Sequence, residues 1–119
     1  MVNDGSRRSP GYPDELRGDI KRFERYRARW LGNDPLSYAT VYRMLAATQM
    51  DEELTRLKCP VLVFGAEFDR TRPPAISKAI ADMIPNARFE EIRTGHYMAA
   101  QTPDLIFERV NAFLRTVDA

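Results

Sequence analysis

The stretch "CPVLVFGAEFDRTRPP", residues 59–74, contains an apolar run, a turn and the start of a helix. Four consecutive apolar residues, Val61 to Phe64, stand between a proline and a glycine, which is the pattern of a strand buried on both faces of a parallel sheet. The two prolines at the end of the stretch predict the start of a helix over 74–84. This segment therefore predicts a buried strand that is followed closely by a helix.

A second strand and a second helix follow along the chain. The segment "ARFEEI", residues 87–92, mixes apolar and polar residues, as a strand at a sheet edge does. Beyond it, apolar residues recur every three or four positions after Thr102 and Pro103, which is the pattern of a capped helix. The order strand, helix, strand, helix predicts an α/β fold with a parallel βαβα unit.

The residues before this unit predict an arm and two helices. Residues 1–13 contain Gly, Ser, Pro and Asn without periodicity, so we expect them to form a flexible arm. Apolar residues at helical spacing predict one helix over 14–31, and Asp34 followed by Pro35 predicts the start of another that runs to about residue 48. The predicted organisation is an arm over 1–13, a cap-like helical segment over 14–50 and a βαβα portion over 51–119.

Composition excludes several classes of protein. The chain of 119 residues has 18 basic and 17 acidic residues, so its charge gives no reason to expect binding to nucleic acid or to a membrane. The single cysteine, Cys59, excludes an internal disulfide framework and suits a reducing compartment, which predicts a cytoplasmic protein. No apolar segment has the length of a membrane span, and no metal or organic cofactor is implied.

Two polar residues follow the two predicted strands. Asp69 comes shortly after the first strand, and His96, the single histidine, comes shortly after the second. Because the carboxyl ends of parallel strands meet at one edge of a sheet, we expect these side chains to lie close together. An aspartate that accepts a hydrogen bond from one imidazole nitrogen presents the other nitrogen as a base. The sequence therefore predicts an acid–base pair.

These segments together resemble part of a known family. The stretches "CPVLVFGAEFDRTRPP", "IPNARFEEI" and "TGHYMAAQTPDLIFERVNAFL" are similar to the C-terminal half of α/β-hydrolases, in the branch of esterases and lactonases that includes 3-oxoadipate enol-lactonases. The resemblance implies a partial α/β-hydrolase fold preceded by cap-like helices. It also implies that Asp69 and His96 are the catalytic acid and base of a serine-type hydrolase acting on a carboxylic ester or lactone.

Other side chains are candidates for contact with a substrate. Tyr97 and Met98 adjoin the histidine and are candidates to line a pocket for an acyl group or lactone, and Trp30 is a candidate to roof it. Packing in the core is the alternative for all three residues. The basic face of the first predicted helix is either solvated or helps to hold a carboxylated substrate; it contains Arg17, Lys21, Arg25 and Arg29.

The sequence also departs from the family pattern. Ala66 stands where the family has glycine three positions before the acid, so Glu67 remains a second candidate for the acid. No G-x-S-x-G motif occurs, and no serine follows a strand at a strand-to-helix elbow; the serines are Ser6, Ser9, Ser37 and Ser77. Cys59 precedes the first strand and so lies at the wrong edge of the sheet to be the nucleophile. We therefore expect the chain to be inactive alone.

A strand that is apolar on both faces needs a neighbour at each edge. The sequence predicts only one neighbouring strand, so three explanations of the uncovered edge remain. A separate N-terminal polypeptide completes the sheet, two copies form a homo-oligomer, or the chain is a fragment. A non-catalytic domain that derives from a hydrolase and self-associates or binds a protein partner is the alternative function.

Overall fold

The computed structural model of the chain describes residues 12–117, so residues 1–11 of the predicted arm lie outside it. A short 3-10 helix, Asp14–Leu16, comes first in the described part. The α-helices of this part are α1 (Ile20–Leu31), α2 (Pro35–Ala47), α3 (Asp51–Thr55), α4 (Pro74–Met83), α5 (Met98–Gln101) and α6 (Pro103–Val117). Its strands are β1 (Val61–Ala66) and β2 (Ala87–Ile92).

The two strands are parallel neighbours. Their register runs from Val61 opposite Ala87 to Ala66 opposite Ile92. Helix α4 connects the strands and packs on both of them. The predicted α/β fold class with a parallel βαβα unit is confirmed, and both strands end at the same edge of the sheet.

Side-chain caps set where the first two long helices begin. The carboxylate of Asp34 accepts a hydrogen bond from the backbone N of Ser37 at 2.7 Å, and α2 begins at the next residue, as predicted. Helix α1 begins at Ile20 rather than Asp14, because Asp19 accepts from the backbone N of Arg22 at 3.0 Å and caps the helix there. Across residues 12–117, every helix is too short or too polar to cross a lipid bilayer.

The core is small and lies between α4 and the two strands. Its buried apolar side chains there are Ala66 and Ile92 in the strands, Ala81 in α4 and Ile84 just after α4. Val61 to Phe64 are only half-buried, because β1 has a single neighbouring strand within the described residues and its other edge is open. Helix α2 also leaves large apolar side chains exposed, among them Leu36, Val41, Met44 and Leu45. Apolar surface is therefore exposed beside β1 and around α2.

Tyr12 and Pro13 differ from the prediction of a flexible arm. Both residues are buried, and Tyr12 is 1% exposed. The Tyr12 ring packs against Phe23 and Tyr26 of α1, with ring centroids 5.2 and 4.9 Å apart. Burial of a ring of this size against two others stabilises the start of the described chain, so the arm prediction is wrong for these two residues.

The Tyr12 hydroxyl group provides a test of this packing. Its oxygen is buried and has no hydrogen-bond partner among residues 12–117, and a buried hydroxyl without a partner costs about 1–3 kcal/mol. Burial, followed by the nearby Asp19 carboxylate, raises the pKa of Tyr12 above its ordinary value. The phenol therefore ionises first in the unfolded chain, and its contribution to stability is lost as pH rises past about 10.

We expect Tyr12→Phe to leave the free energy of unfolding unchanged or to raise it by about 1 kcal/mol near neutral pH. The variant should also lose less stability than the parent between about pH 8 and pH 10.5, because it has no phenol to ionise. Urea denaturation at both pH values measures the two effects. A variant that is less stable than the parent at neutral pH would show that the hydroxyl has a partner in the folded protein.

Candidate active site

Asp69 lies in the turn that follows β1. Its backbone N donates to the carbonyl of Ala66 at 3.1 Å, which closes the turn. One carboxylate oxygen, Oδ1, accepts from the backbone N of Thr71 at 2.8 Å and of Arg72 at 2.9 Å. The side chain is only 4% exposed. Two backbone amides therefore hold the carboxylate in one orientation and leave Oδ2 for another partner.

That partner is His96, in the turn that follows β2. Its Nδ1 lies 2.7 Å from Oδ2 of Asp69, so the structure brings together the two residues that the sequence predicts to meet. Because a carboxylate accepts, Nδ1 is the donor and Nε2 is the nitrogen left to act as a base. His96 makes no other side-chain hydrogen bond within residues 12–117, and its side chain is 32% exposed.

Backbone hydrogen bonds tie the two turns to each other. The backbone N of Glu67 donates to the carbonyl of Ile92 at 2.9 Å, and that of Phe68 donates to the carbonyl of Thr94 at 3.0 Å. These bonds extend the pairing of β1 with β2 beyond the strands. They fix the spacing between the carboxylate and the imidazole, since each turn carries one of the two groups.

Buried polar side chains support the histidine turn. Thr94 is fully buried, and its hydroxyl oxygen accepts from the Thr102 hydroxyl at 2.6 Å. Gln101 is 2% exposed, and its Oε1 accepts from the backbone N of Tyr97 at 3.2 Å. Sequence reasoning missed Thr94 and Gln101 because no chemical role was assigned to them, although both lie in the quoted stretch that begins at Thr94. Their only signal is that each lies within five residues of the histidine.

A cleft lies beside the histidine turn. It has a volume of about 530 Å³, and its walls come from α1, the start of α2 and the segment after the histidine. The residues lining it are Arg22, Arg25, Tyr26, Arg29, Trp30, Asn33, Tyr38, Tyr97, Ala99, Ala100 and Pro103. Two of the three predicted substrate-binding residues, Trp30 and Tyr97, thus share one cleft, and Met98 is not among its lining residues.

Tyr97 lies between this cleft and the imidazole. Its ring meets the His96 ring edge to face, with centroids 4.9 Å apart, and also contacts the Tyr26 ring at 5.4 Å. Burial raises the pKa of the Tyr97 phenol, and the neighbouring Tyr26 and Tyr42 raise it further. The phenol is therefore neutral at physiological pH and presents a hydroxyl group and an aromatic face.

The structure also locates the other candidates for the acid and the nucleophile. Glu67 pairs with Arg93 at 3.5 Å and forms no ion pair with His96, and Cys59 is exposed at the amino end of β1. Ser37 and Ser77 lie on α2 and α4, while Ser6 and Ser9 lie outside the described residues. Within residues 12–117, no serine, threonine or cysteine side chain is hydrogen-bonded to His96.

Two curated proteins are similar to this chain, while no protein-family profile matches it. One, from Azorhizobium caulinodans, is named as the carbamate hydrolase RutD; it is 34% identical over 68 residues, which are 56% of this chain and 26% of that protein. The other is the pyrrolizixenacetamide deacetylase of Xenorhabdus hominickii, 28% identical over 69 residues, which are 58% of this chain and 26% of the deacetylase. The chain therefore matches about a quarter of the length of these relatives.

A solved structure shows the same fold. Est816, described as an N-acyl homoserine lactone degrading enzyme, superposes with a TM-score of 0.70. The superposed residues are 92% of this chain and 45% of the Est816 chain. Its sequence identity is 20%, so this likeness shows the fold alone. Together with the two relatives, it shows that the fold is α/β-hydrolase-like. All three similar proteins are named as enzymes, and their names describe a hydrolase, a deacetylase and a lactone-degrading enzyme.

Proposed function

We propose that this chain supplies the acid and the base of a serine-type hydrolase that acts on a carboxylic ester or lactone. The observation that carries the proposal is the 2.7 Å contact between Oδ2 of Asp69 and Nδ1 of His96 at the carboxyl edge of a parallel sheet. That edge is where open α/β sheets bind ligands. The similarity to proteins named as a carbamate hydrolase and a deacetylase supports a hydrolytic reaction at a carbonyl group.

In the proposed reaction, Nε2 of His96 takes the proton of a serine hydroxyl as that oxygen attacks the carbonyl carbon. The imidazolium then gives the proton to the leaving oxygen, and an acyl-enzyme forms. Water attacks the acyl-enzyme in the same way and releases the acid. Asp69 holds the imidazole in the required tautomer and stabilises its cation, and the cleft lined by Trp30 and Tyr97 binds the substrate under a cap formed by residues 14–50.

The serine and the groups that bind the oxyanion come, in this proposal, from outside residues 12–117. The open edge of β1 and the exposed apolar side chains of α2 support a polypeptide neighbour that completes the sheet. A second copy of the chain would cover these surfaces without supplying G-x-S-x-G, whereas an N-terminal hydrolase half would both complete the sheet and supply the serine. The same open surfaces also favour the alternative function, in which a non-catalytic domain self-associates or binds a protein partner.

A fluorophosphonate probe and an activated ester test the proposal. The chain alone should give neither covalent labelling nor a burst of product, because no serine or threonine hydroxyl group of residues 12–117 is hydrogen-bonded to the imidazole. Co-expression with a G-x-S-x-G polypeptide encoded immediately upstream should give both. In that complex, His96→Ala should lower kcat at least about a thousandfold, since the base is lost while the oxyanion site remains.

Variants of the serines make the result specific. Ser37→Ala and Ser77→Ala change exposed and half-buried serines on α2 and α4 and should leave the complex fully active. Labelling of the purified chain that disappears in Ser6→Ala or Ser9→Ala would contradict a nucleophile supplied by a neighbour. The non-catalytic alternative would be favoured by a stable complex in which the G-x-S-x-G polypeptide pairs with the sheet but is not labelled.

A further inference from the structure

Helix α1 contacts the segment that follows the histidine through Arg22 and Tyr26. These residues are four positions apart and therefore share one face of the helix. Nη1 of Arg22 donates to the backbone carbonyl of Gln101, the last residue of α5, at 2.6 Å. The Tyr26 ring contacts the Tyr97 ring, with centroids 5.4 Å apart. A polar contact and an aromatic contact thus join α1 to the residues that follow His96.

The guanidinium group of Arg22 is also held by its own helix. Its Nε pairs with the Asp19 carboxylate at 3.3 Å, and the same carboxylate caps α1. The contact of Arg22 with Gln101 is partly buried. A hydrogen bond from a charged donor is stronger than one between neutral groups, and the planar guanidinium fixes the directions of its N–H groups. Arg22 therefore ties the first turn of α1 to the end of α5.

Gln101 in turn contacts the residues on both sides of His96. Its Oε1 accepts from the backbone N of Tyr97 at 3.2 Å, and its backbone N donates to the Tyr97 carbonyl at 2.9 Å. The same Oε1 packs against Gly95, where an added Cβ atom would lie only 2.6 Å from it. Because Gln101 is almost fully buried, its side chain has little room to move. A group that holds Gln101 therefore also holds the backbone that carries the imidazole.

We propose that Arg22 is a positioning residue for His96, and that it links α1 to the base through Gln101. This inference rests on the proposed function for the role of the base. While Arg22 binds the Gln101 carbonyl, the histidine turn keeps the imidazole against Asp69 with Nδ1 protonated. When this contact is lost, the turn moves more freely and the ring leaves the carboxylate for part of the time. The base is thus fully oriented only while α1 is docked.

Nitrogen-15 and proton spectra of the chain test this link without any reaction, because His96 is the only histidine. Arg22→Met keeps the apolar length of the side chain but removes its donors. In this variant the Nδ1 proton should exchange with solvent about tenfold faster than in the parent, and the neutral ring with Nε2 protonated should appear. Arg22→Lys, whose ammonium can still donate to the carbonyl, should restore most of the slow exchange.

Lys21→Met is the matched control, because Lys21 is the exposed neighbour of Arg22 in α1 and carries the same charge. It should leave the exchange of the Nδ1 proton as it is in the parent. Equal exchange in the parent and Arg22→Met, or an equal acceleration in Lys21→Met, would overturn the inference.

A double-mutant cycle tests whether Arg22 acts through Gln101. Gln101→Met should itself speed the exchange of the Nδ1 proton, because Oε1 no longer accepts from the backbone N of Tyr97. If Arg22 acts through Gln101, adding Arg22→Met to this variant should change the exchange little further. Fully additive effects of the two changes would contradict the route through Gln101.

Kinetics of the complex that carries the nucleophile separate this role from direct contact with the substrate, because Arg22 also lines the cleft. With a small activated ester, Arg22→Met should lower kcat about tenfold and leave KM unchanged. A higher KM with an unchanged kcat would show that Arg22 binds the substrate and would contradict the inference.

The spectra and the labelling of the complex fail separately. Faster exchange in Arg22→Met together with no labelling of the complex would support the link to His96 and contradict the hydrolase. Labelling of the complex together with equal exchange in the parent and Arg22→Met would support the hydrolase and contradict the link.

Discussion

Asp69→Asn is expected to reverse the tautomer of His96 and to remove its function as a base. In the parent, Oδ1 of Asp69 accepts from the backbone N of Thr71 and of Arg72, while Oδ2 accepts from Nδ1 of His96. Asparagine satisfies the same two amides only with its oxygen, so its NH₂ group must point at the imidazole. Nδ1 then accepts, the proton moves to Nε2, and no lone pair is left to take a proton from a hydroxyl group.

The single histidine makes this change observable without activity. Nitrogen-15 spectra of the chain should show one histidine with Nδ1 protonated in the parent and with Nε2 protonated in Asp69→Asn. In the complex that carries the nucleophile, the same variant should lower kcat about ten-thousandfold, as expected for a base in the wrong tautomer.

Glu67→Gln is the control for this variant. Glu67 precedes Asp69 by two residues and was the second candidate for the acid, but its carboxylate pairs with Arg93 at the surface. The tautomer of His96 and the activity of the complex should be unchanged. Two results would show that the Asp69 carboxylate does not orient the ring. One is a parent spectrum with Nε2 protonated, and the other is a tautomer that changes in Glu67→Gln but not in Asp69→Asn.

The parts of the fold that the sequence predicts are those with local signals. β2 occupies the predicted residues 87–92, and α4 ends one residue before the predicted end at 84. Proline, glycine and changes in the spacing of apolar residues mark these boundaries. Such signals depend only on residues that are close in sequence. The contact between Asp69 and His96 also follows from the sequence. Each residue comes just after a strand, and the carboxyl ends of neighbouring parallel strands lie at the same edge of the sheet.

The parts that the sequence does not predict depend on contacts between distant segments. Tyr12 is buried against rings on α1, and Thr94 and Gln101 are buried where the histidine turn meets the end of α5. Tyr97 and Met98 were equivalent candidates in sequence. Tyr97 is the residue before α5 and has a non-helical backbone, whereas Met98 is the first residue of the helix, so the two side chains leave the backbone in different directions.

Gly95→Ala is expected to be the most destabilising small change in the histidine turn. A Cβ atom at this position would lie 2.6 Å from Oε1 of Gln101 and 2.6 Å from Cδ of Pro13. The φ angle of Gly95 is not positive, so close approach and not backbone conformation requires glycine here. The proline ring is rigid and Gln101 is almost fully buried, so neither can withdraw without moving its own segment.

We expect Gly95→Ala to lower the free energy of unfolding by about 2 kcal/mol, which corresponds to a lower Tm by roughly 8 °C for a domain of this size. Gly18→Ala is the matched control, because a Cβ atom there meets nothing within 4 Å. It should be neutral or slightly stabilising, since alanine restricts the unfolded chain. Thermal denaturation of both variants gives the comparison, and nitrogen-15 spectra should show a mixture of His96 tautomers only in Gly95→Ala. Equal stability of the two variants would mean that the contacts of Gly95 with Gln101 and Pro13 do not hold the histidine in place.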